Sequence, residues 1–121
     1  MSDLLLDINL QQLPDHYFGG EWQVANRVLN SNNPGSPLAQ ATRLVLRPGQ
    51  VQTTAALPGS GETGQWAVMR DGLLNRPYLN FELPNEETRA LVTRLRRSVD
   101  GLHSKLNLYF ASGMEMQLDR A

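Results

Sequence analysis

With 121 residues, 40% of them apolar and 19% charged, the chain suits one globular domain and is too short for two independent cores. Eleven basic residues against twelve acidic ones leave a net charge of −1, too weak a field to recruit nucleic acid or an anionic membrane. Cysteine is absent, which excludes a disulfide, a thiolate nucleophile and a cysteine-ligated metal, and His16 and His103 alone cannot build a three-histidine site.

The first segment, MSDLLLDINLQQLPD, has no basic region, and its longest apolar run is Leu4-Leu5-Leu6. Neither an export signal nor a membrane span is expected there, so a soluble, cytoplasmic protein is expected. Leu4, Leu6, Ile8 and Leu10 alternate as a short strand would. Pro14 to Phe18 suits one helical turn stopped by Gly19-Gly20.

From residue 20 onward the apolar residues recur with a period of two. EWQVANRVL (21–29) sets Trp22, Val24 and Val28 on one face, with Asn26 in the same phase. After the polar connector NSNNPGSP (30–37), TRLVLR (42–47) aligns Leu44 with Leu46, and QVQTTAAL (50–57) aligns Val51, Thr53, Ala55 and Leu57. WAVMR (66–70) contributes Trp66 and Val68. PYLNFEL (77–83) sets Leu79, Phe81 and Leu83 against Tyr78, Asn80 and Glu82. GLHSKLNLYF (101–110) puts Leu102, Ser104, Leu106, Leu108 and Phe110 together, and MEMQLDR (114–120) does the same with Met114, Met116 and Leu118. Pro48-Gly49, Pro58-Gly59, Asp71-Gly72 and Asp100-Gly101 punctuate the segments as tight turns. This rhythm marks strands with one buried and one wet face.

Two stretches compete with that reading. GSGETG (59–64) matches the glycine pattern of a dinucleotide site, but such a site needs a helix to begin within it. Only QWAVMRDG follows, a strand running into a turn, so the match reads as a loop. NEETRALVTRLRRSVDG (85–101) reads two ways. As a helix it has Asn85 as cap, acidic residues early, basic residues late, and Leu91, Val92, Leu95 and Val99 at helical spacing. As a strand it places Leu91, Thr93, Leu95, Arg97 and Val99 on one face and supplies the partner that the Asp100-Gly101 hairpin needs.

The strand reading gives eight consecutive strands, whose two free edges disappear if the meander closes. The expected fold is therefore mainly β: an eight-stranded antiparallel up-and-down barrel over 20–121, preceded by a segment of 1–19, in a single domain. The helix reading gives instead an α+β fold, with residues 86–98 as a helix packed on a curved antiparallel sheet.

Gly20-Glu21-Trp22, opening the first long strand after a helical turn, resembles the G-x-W motif of lipocalin-like (calycin) barrels. In that family a basic residue of the last strand packs across the tryptophan at the closed end, and Arg120 stands at the matching position. The resemblance implies structural roles for Gly20, Trp22 and Arg120 and an internal apolar site. Read without the resemblance, Trp22 is plain core and Arg120 a solvated tail residue.

No acid–base pair or nucleophile with a neighbouring base is apparent, so catalysis is not expected, and no cofactor is implied. The residues fit a ligand pocket better, being mostly apolar with a few polar groups to orient a guest. Asn26, Thr53, Arg97 and Ser104 would be the polar groups, Arg97 gripping a carboxylate, and Trp22, Trp66, Phe81, Leu106 and Met116 the walls. On the plainer reading the small polar groups bond to nearby backbone, Asn26 lies at a rim and Arg97 meets water. Arg94, Arg96 and Arg97 form a basic cluster, either a solvated face or a contact for an acidic partner protein. Two functions follow: binding of a small apolar or amphipathic ligand inside the barrel, or an interaction or assembly module with a packed core and a protein partner or second copy. Neither nucleic acid nor membrane is expected as a partner.

Overall fold

Each alternating segment pairs with the next one along the chain, and the last returns to the first. The structure, a computed structural model, describes residues 5–28, 37–55, 61–84 and 86–120. The sequence readings at Leu4, Leu57, Pro58-Gly59, Ser60, Asn85 and the connector 30–36 lie outside these residues. The strands are β1 (Leu5–Asp7), β2 (Gly20–Val28), β3 (Ala41–Arg47), β4 (Gln50–Ala55), β5 (Thr63–Arg70), β6 (Pro77–Leu83), β7 (Glu86–Ser98), β8 (Ser104–Phe110) and β9 (Glu115–Arg120). Strands β2 to β9 pair antiparallel in chain order, and β9 pairs back onto β2 from Gln23–Asp119 to Val28–Glu115. The result is a closed eight-stranded antiparallel barrel with β1 outside it.

Residues 86–98 form a strand, so the α+β alternative falls. Their two sides are claimed by β6, through Tyr78–Leu91 to Leu83–Glu86, and by β8, through Ala90–Phe110 to Arg97–Ser104. A helix there would leave the edges of both neighbours bare, and the ladders outweigh local helix preference. The helical spacing of Val92 and Leu95 has another origin. The pairing slips between Val92 and Arg94, a β-bulge at Thr93, so residues three apart both face inward. The expected inward set is corrected accordingly: Ala90, Val92 and Leu95 are buried, whereas Leu91 and Thr93 face out.

β6 stops pairing at Tyr78–Leu91, and the vacated edge of β7 is taken by β1, with Leu5 opposite Ser98 and Asp7 opposite Arg96. The chain then crosses the pole where β2 begins. Ile8 N–H donates to Leu95 O at 2.9 Å, and Leu13 and Phe18 bury themselves ahead of β2. The 3₁₀ turn Asp15–Phe18 ends this crossing. Arg70, at the end of β5, holds it in place by donating to the carbonyls of Leu10 and Leu13 and pairing with Asp15 at 3.0 Å. At the opposite pole a short helix, α1 (Pro37–Gln40), buries Leu38 and Ala39. The β4–β5 seam is the thinnest, with the rungs Val51–Gly64 and Gln52–Thr63. β5 begins at Thr63, directly within the glycine-rich stretch, so no helix follows that pattern.

Candidate functional site

The pole where β2 begins is locked by one stack. Trp22 is fully buried and its indole N–H donates to Phe18 O at 2.9 Å. The Arg120 guanidinium lies 4.0 Å from the Trp22 ring and 5.0 Å from the Tyr17 ring, and donates to the carbonyls of Gly19 at 2.5 Å and Tyr17 at 3.1 Å. Gly20 makes room for it: its φ is +127°, and a Cβ there would stand 2.9 Å from Arg120 Nη1. Tyr17 and Ser104 share a hydrogen bond of 3.0 Å between their hydroxyls. Burial alone would push the Tyr17 phenol up, but hydrogen bonds with Ser104, Arg97 and Arg120 hold it below its ordinary value. Ser104 is largely buried, and with Arg120 it forms part of the lining of a cleft of about 570 Å³ that opens beside β2, β8 and β9.

The residues expected to line a pocket separate into four environments. Trp22, Phe81, Leu106 and Met116 are packed in the interior at 2% exposure or less, with Phe81 stacked on Phe110 at 6.0 Å. Thr53 is also buried and satisfied locally, its N–H donating to Glu62 O at 2.8 Å and its hydroxyl accepting Glu62 N–H at 2.9 Å. Trp66 is half-buried and its indole N–H donates to Arg47 O at 2.5 Å, from β5 to the end of β3. Arg97 is exposed at the rim, its guanidinium 5.9 Å from the Tyr17 ring. Asn26 is exposed on the outer wall, which corrects its inward phase. The pairing of β2 with β9 slips between Val24 and Asn26, so the bulge at Ala25 turns Arg27 toward the α1 end, where it donates to Ala39 O.

A void able to hold a guest would leave its lining side chains in contact with a water-sized sphere. Trp22, Leu44, Val51, Leu79, Phe81, Leu106 and Leu118, drawn from six strands, have no such contact. Among the described residues, these seven leave no room for a guest between them, whereas Val24, Trp66 and Val68, packed against the same core, are partly exposed.

The outer wall carries what the interior lacks. Met69 pairs with Tyr78, Tyr78 with Leu91, and Leu91 with Tyr109, an unbroken row across β5, β6, β7 and β8. Met69, Leu91 and Tyr109 are 45%, 38% and 46% exposed. A shallow groove of about 290 Å³ runs along Tyr78, Leu91 and Tyr109, with Arg89 and Asp71 beside it, and the Arg89 guanidinium rests 5.7 Å from the Tyr78 ring. The outward phase of Tyr78 and Tyr109 is legible in the sequence alternation; Leu91 is hidden by the bulge two residues on. A larger cleft of about 570 Å³ lies by β2, β8 and β9, where Glu21, Gln23 and the Lys105–Asp119 pair at 3.4 Å make it polar.

Charge is separated along the barrel axis. Near the α1 pole stand Glu62, Glu82, Glu86, Glu87 and Glu115, with Glu82 directly opposite Glu87, against Arg27 and Arg89. Near the other pole, beyond the Arg70–Asp15 and Lys105–Asp119 pairs, Arg47, Arg76, Arg96, Arg97 and Arg120 outnumber Asp71 and Asp100. Among the described residues, no three acidic, histidine or cysteine side chains are grouped as metal ligands, and no helix is long and apolar enough to cross a membrane. No protein-family model, curated protein or solved structure matches the chain.

Proposed function

We propose that this is a lipocalin-like barrel turned to assembly: a non-catalytic module with a packed core that pairs with a second copy through its outer wall. The lipocalin-like part rests on Gly20-Glu21-Trp22 and on Arg120 lying across Trp22. The assembly part rests on the row Met69–Tyr78–Leu91–Tyr109, because a monomer gains nothing from three exposed apolar side chains set in one row with the half-buried Tyr78. Aromatic and aliphatic anchors with one arginine are the composition of an interface centre. The absence of cysteine fits a reducing, intracellular compartment.

Arg89 lies two residues before Leu91, toward the α1 pole, and Asp71 closes β5 toward the other. In an isologous dimer, opposite charges such as Arg89 and Asp71 would border the shared apolar row. Internal ligand binding has less behind it, since a small-molecule pocket takes about 300 Å³ or more and most of the described core side chains are close to fully buried. Sedimentation velocity tests the reading. The wild type is expected to shift from monomer to dimer with concentration and Leu91→Glu to stay monomeric, whereas a wild type that stays monomeric at every concentration contradicts it.

A further inference from the structure

At the pole where β2 begins, two turns carry aliphatic side chains into solvent. The β5–β6 turn holds Leu73, 96% exposed, and Leu74, 52%; the β7–β8 turn holds Val99, 69%, and Leu102, 66%. Both β5 and β7 run toward this pole, so the antiparallel order places the two turns together at one end of the molecule.

The turns are built alike. Asp71 Oδ1 accepts the N–H groups of Leu73 and Leu74 at 3.1 and 2.6 Å. Asp100 Oδ1 accepts Leu102 N–H at 2.9 Å and the Ser98 hydroxyl. Each carboxylate fixes its turn through backbone donors while the leucine side chains point away. The exposure belongs to an ordered turn and not to a frayed one. Turn tips are ordinarily polar, and four large aliphatics at one pole exceed the scatter that any surface shows.

The cations lie at the same pole. Arg76 follows Leu74 in its turn, and Arg96 and Arg97 precede Val99 at the end of β7. The Arg96 Nε is buried with no hydrogen-bond partner in the protein. The surplus glutamates stand at the far pole. A net charge of −1 therefore conceals a molecule with a cationic, aliphatic end and an anionic one.

We propose that this pole docks on an anionic lipid surface, Leu73, Leu74, Val99 and Leu102 entering the headgroup layer and Arg76, Arg96 and Arg97 facing lipid phosphates. Apolar area and cations together are what interfacial binding draws on, and either alone is weak. A second copy's glutamate pole would match the charge but not the leucines. Apart from the wall row, the large apolar side chain exposed toward that pole among the described residues is Val28. The four aliphatic side chains lie outside the pairing row, although Asp71 borders both surfaces; the leucine variant and Leu91→Glu therefore test the two proposals separately.

The test is co-sedimentation of the full chain with vesicles about one-third phosphatidylserine, set against pure phosphatidylcholine. The chain is expected to pellet with the anionic vesicles, to be released by salt, and to lose at least about tenfold in affinity in the Leu73→Ser/Leu102→Ser variant. Arg96→Gln/Arg97→Gln is expected to weaken binding as well, while Leu91→Glu binds as the wild type does. Circular dichroism confirms that the turn variants are folded. The proposal is overturned if anionic vesicles fail to pellet the chain, if neutral vesicles pellet it equally, or if the leucine variant binds unchanged. It is also overturned if an acidic polypeptide such as polyglutamate displaces the vesicles and keeps its affinity in the leucine variant, since the pole would then be reading charge on a protein.

Discussion

Gly20 has two reasons to be glycine, and both converge on Arg120. Its φ of +127° is a region that side chains disfavour, and the space a Cβ would need is held by the arginine that covers Trp22. Gly20→Ala must either strain the backbone or dislodge the guanidinium from the two carbonyls it serves. A loss of about 1–3 kcal/mol in urea unfolding is expected. A variant as stable as the wild type would mean that the pole is not braced in this way. Gly20, Trp22 and Arg120 were singled out by the G-x-W resemblance and not by their residue types alone, and the structure sets the Arg120 guanidinium 4.0 Å from the Trp22 ring. The placements of Asn26 and Arg97 were not legible in the sequence. Period-two counting carried Asn26 into the core, and the bulge at Ala25, which no glycine or proline announces, carries it out again. Arg97 shares the face of Leu95 and Ser104 but sits at the strand's end, where that face opens to water.

Among the elements, β3, β6, β8 and β9 follow their sequence rhythm because both neighbours hold them in register along most of their length. β7 was the ambiguous one, since its composition favours a helix and its role as a strand depends on partners remote in sequence. The turns offer a check of their own. Asp71 and Asp100 accept backbone N–H groups, and Asp100 also the Ser98 hydroxyl; these bonds hold both carboxyls below the usual carboxylate range. A folded-state value lowered below the unfolded one stabilises the fold above about pH 4, and that contribution is lost as the pH falls through the folded value. Asp100→Asn removes one such group. Its urea midpoint is expected to fall less steeply than the wild type's on acidification below about pH 4. Parallel acid limbs would show that the turn carboxylate contributes nothing to folding.

At the scale of the whole molecule, closure of the barrel is what the proposed outward-facing function rests on. An eight-stranded barrel has an interior that side chains can just fill, and the tryptophan, phenylalanines and leucines here fill it. The N-terminal crossing buries Leu13 and Phe18 at one pole, and α1 buries Leu38 and Ala39 at the other. On the proposed reading, recognition falls to the wall and the ends. The axial separation of charge was beyond sequence reading because it arises from topology: alternate turns fall at opposite poles, and the residues flanking them sort by sign only once the meander is wound.

Native mass spectrometry of the chain as purified tests the central claim, that the barrel is full and acts from outside, most directly, because one spectrum reads both bound guests and association. The expected result is monomer and dimer at the bare mass of the polypeptide, with the dimer missing from Leu91→Glu. A monomer carrying the added mass of a small molecule, and no dimer at any concentration, would contradict it.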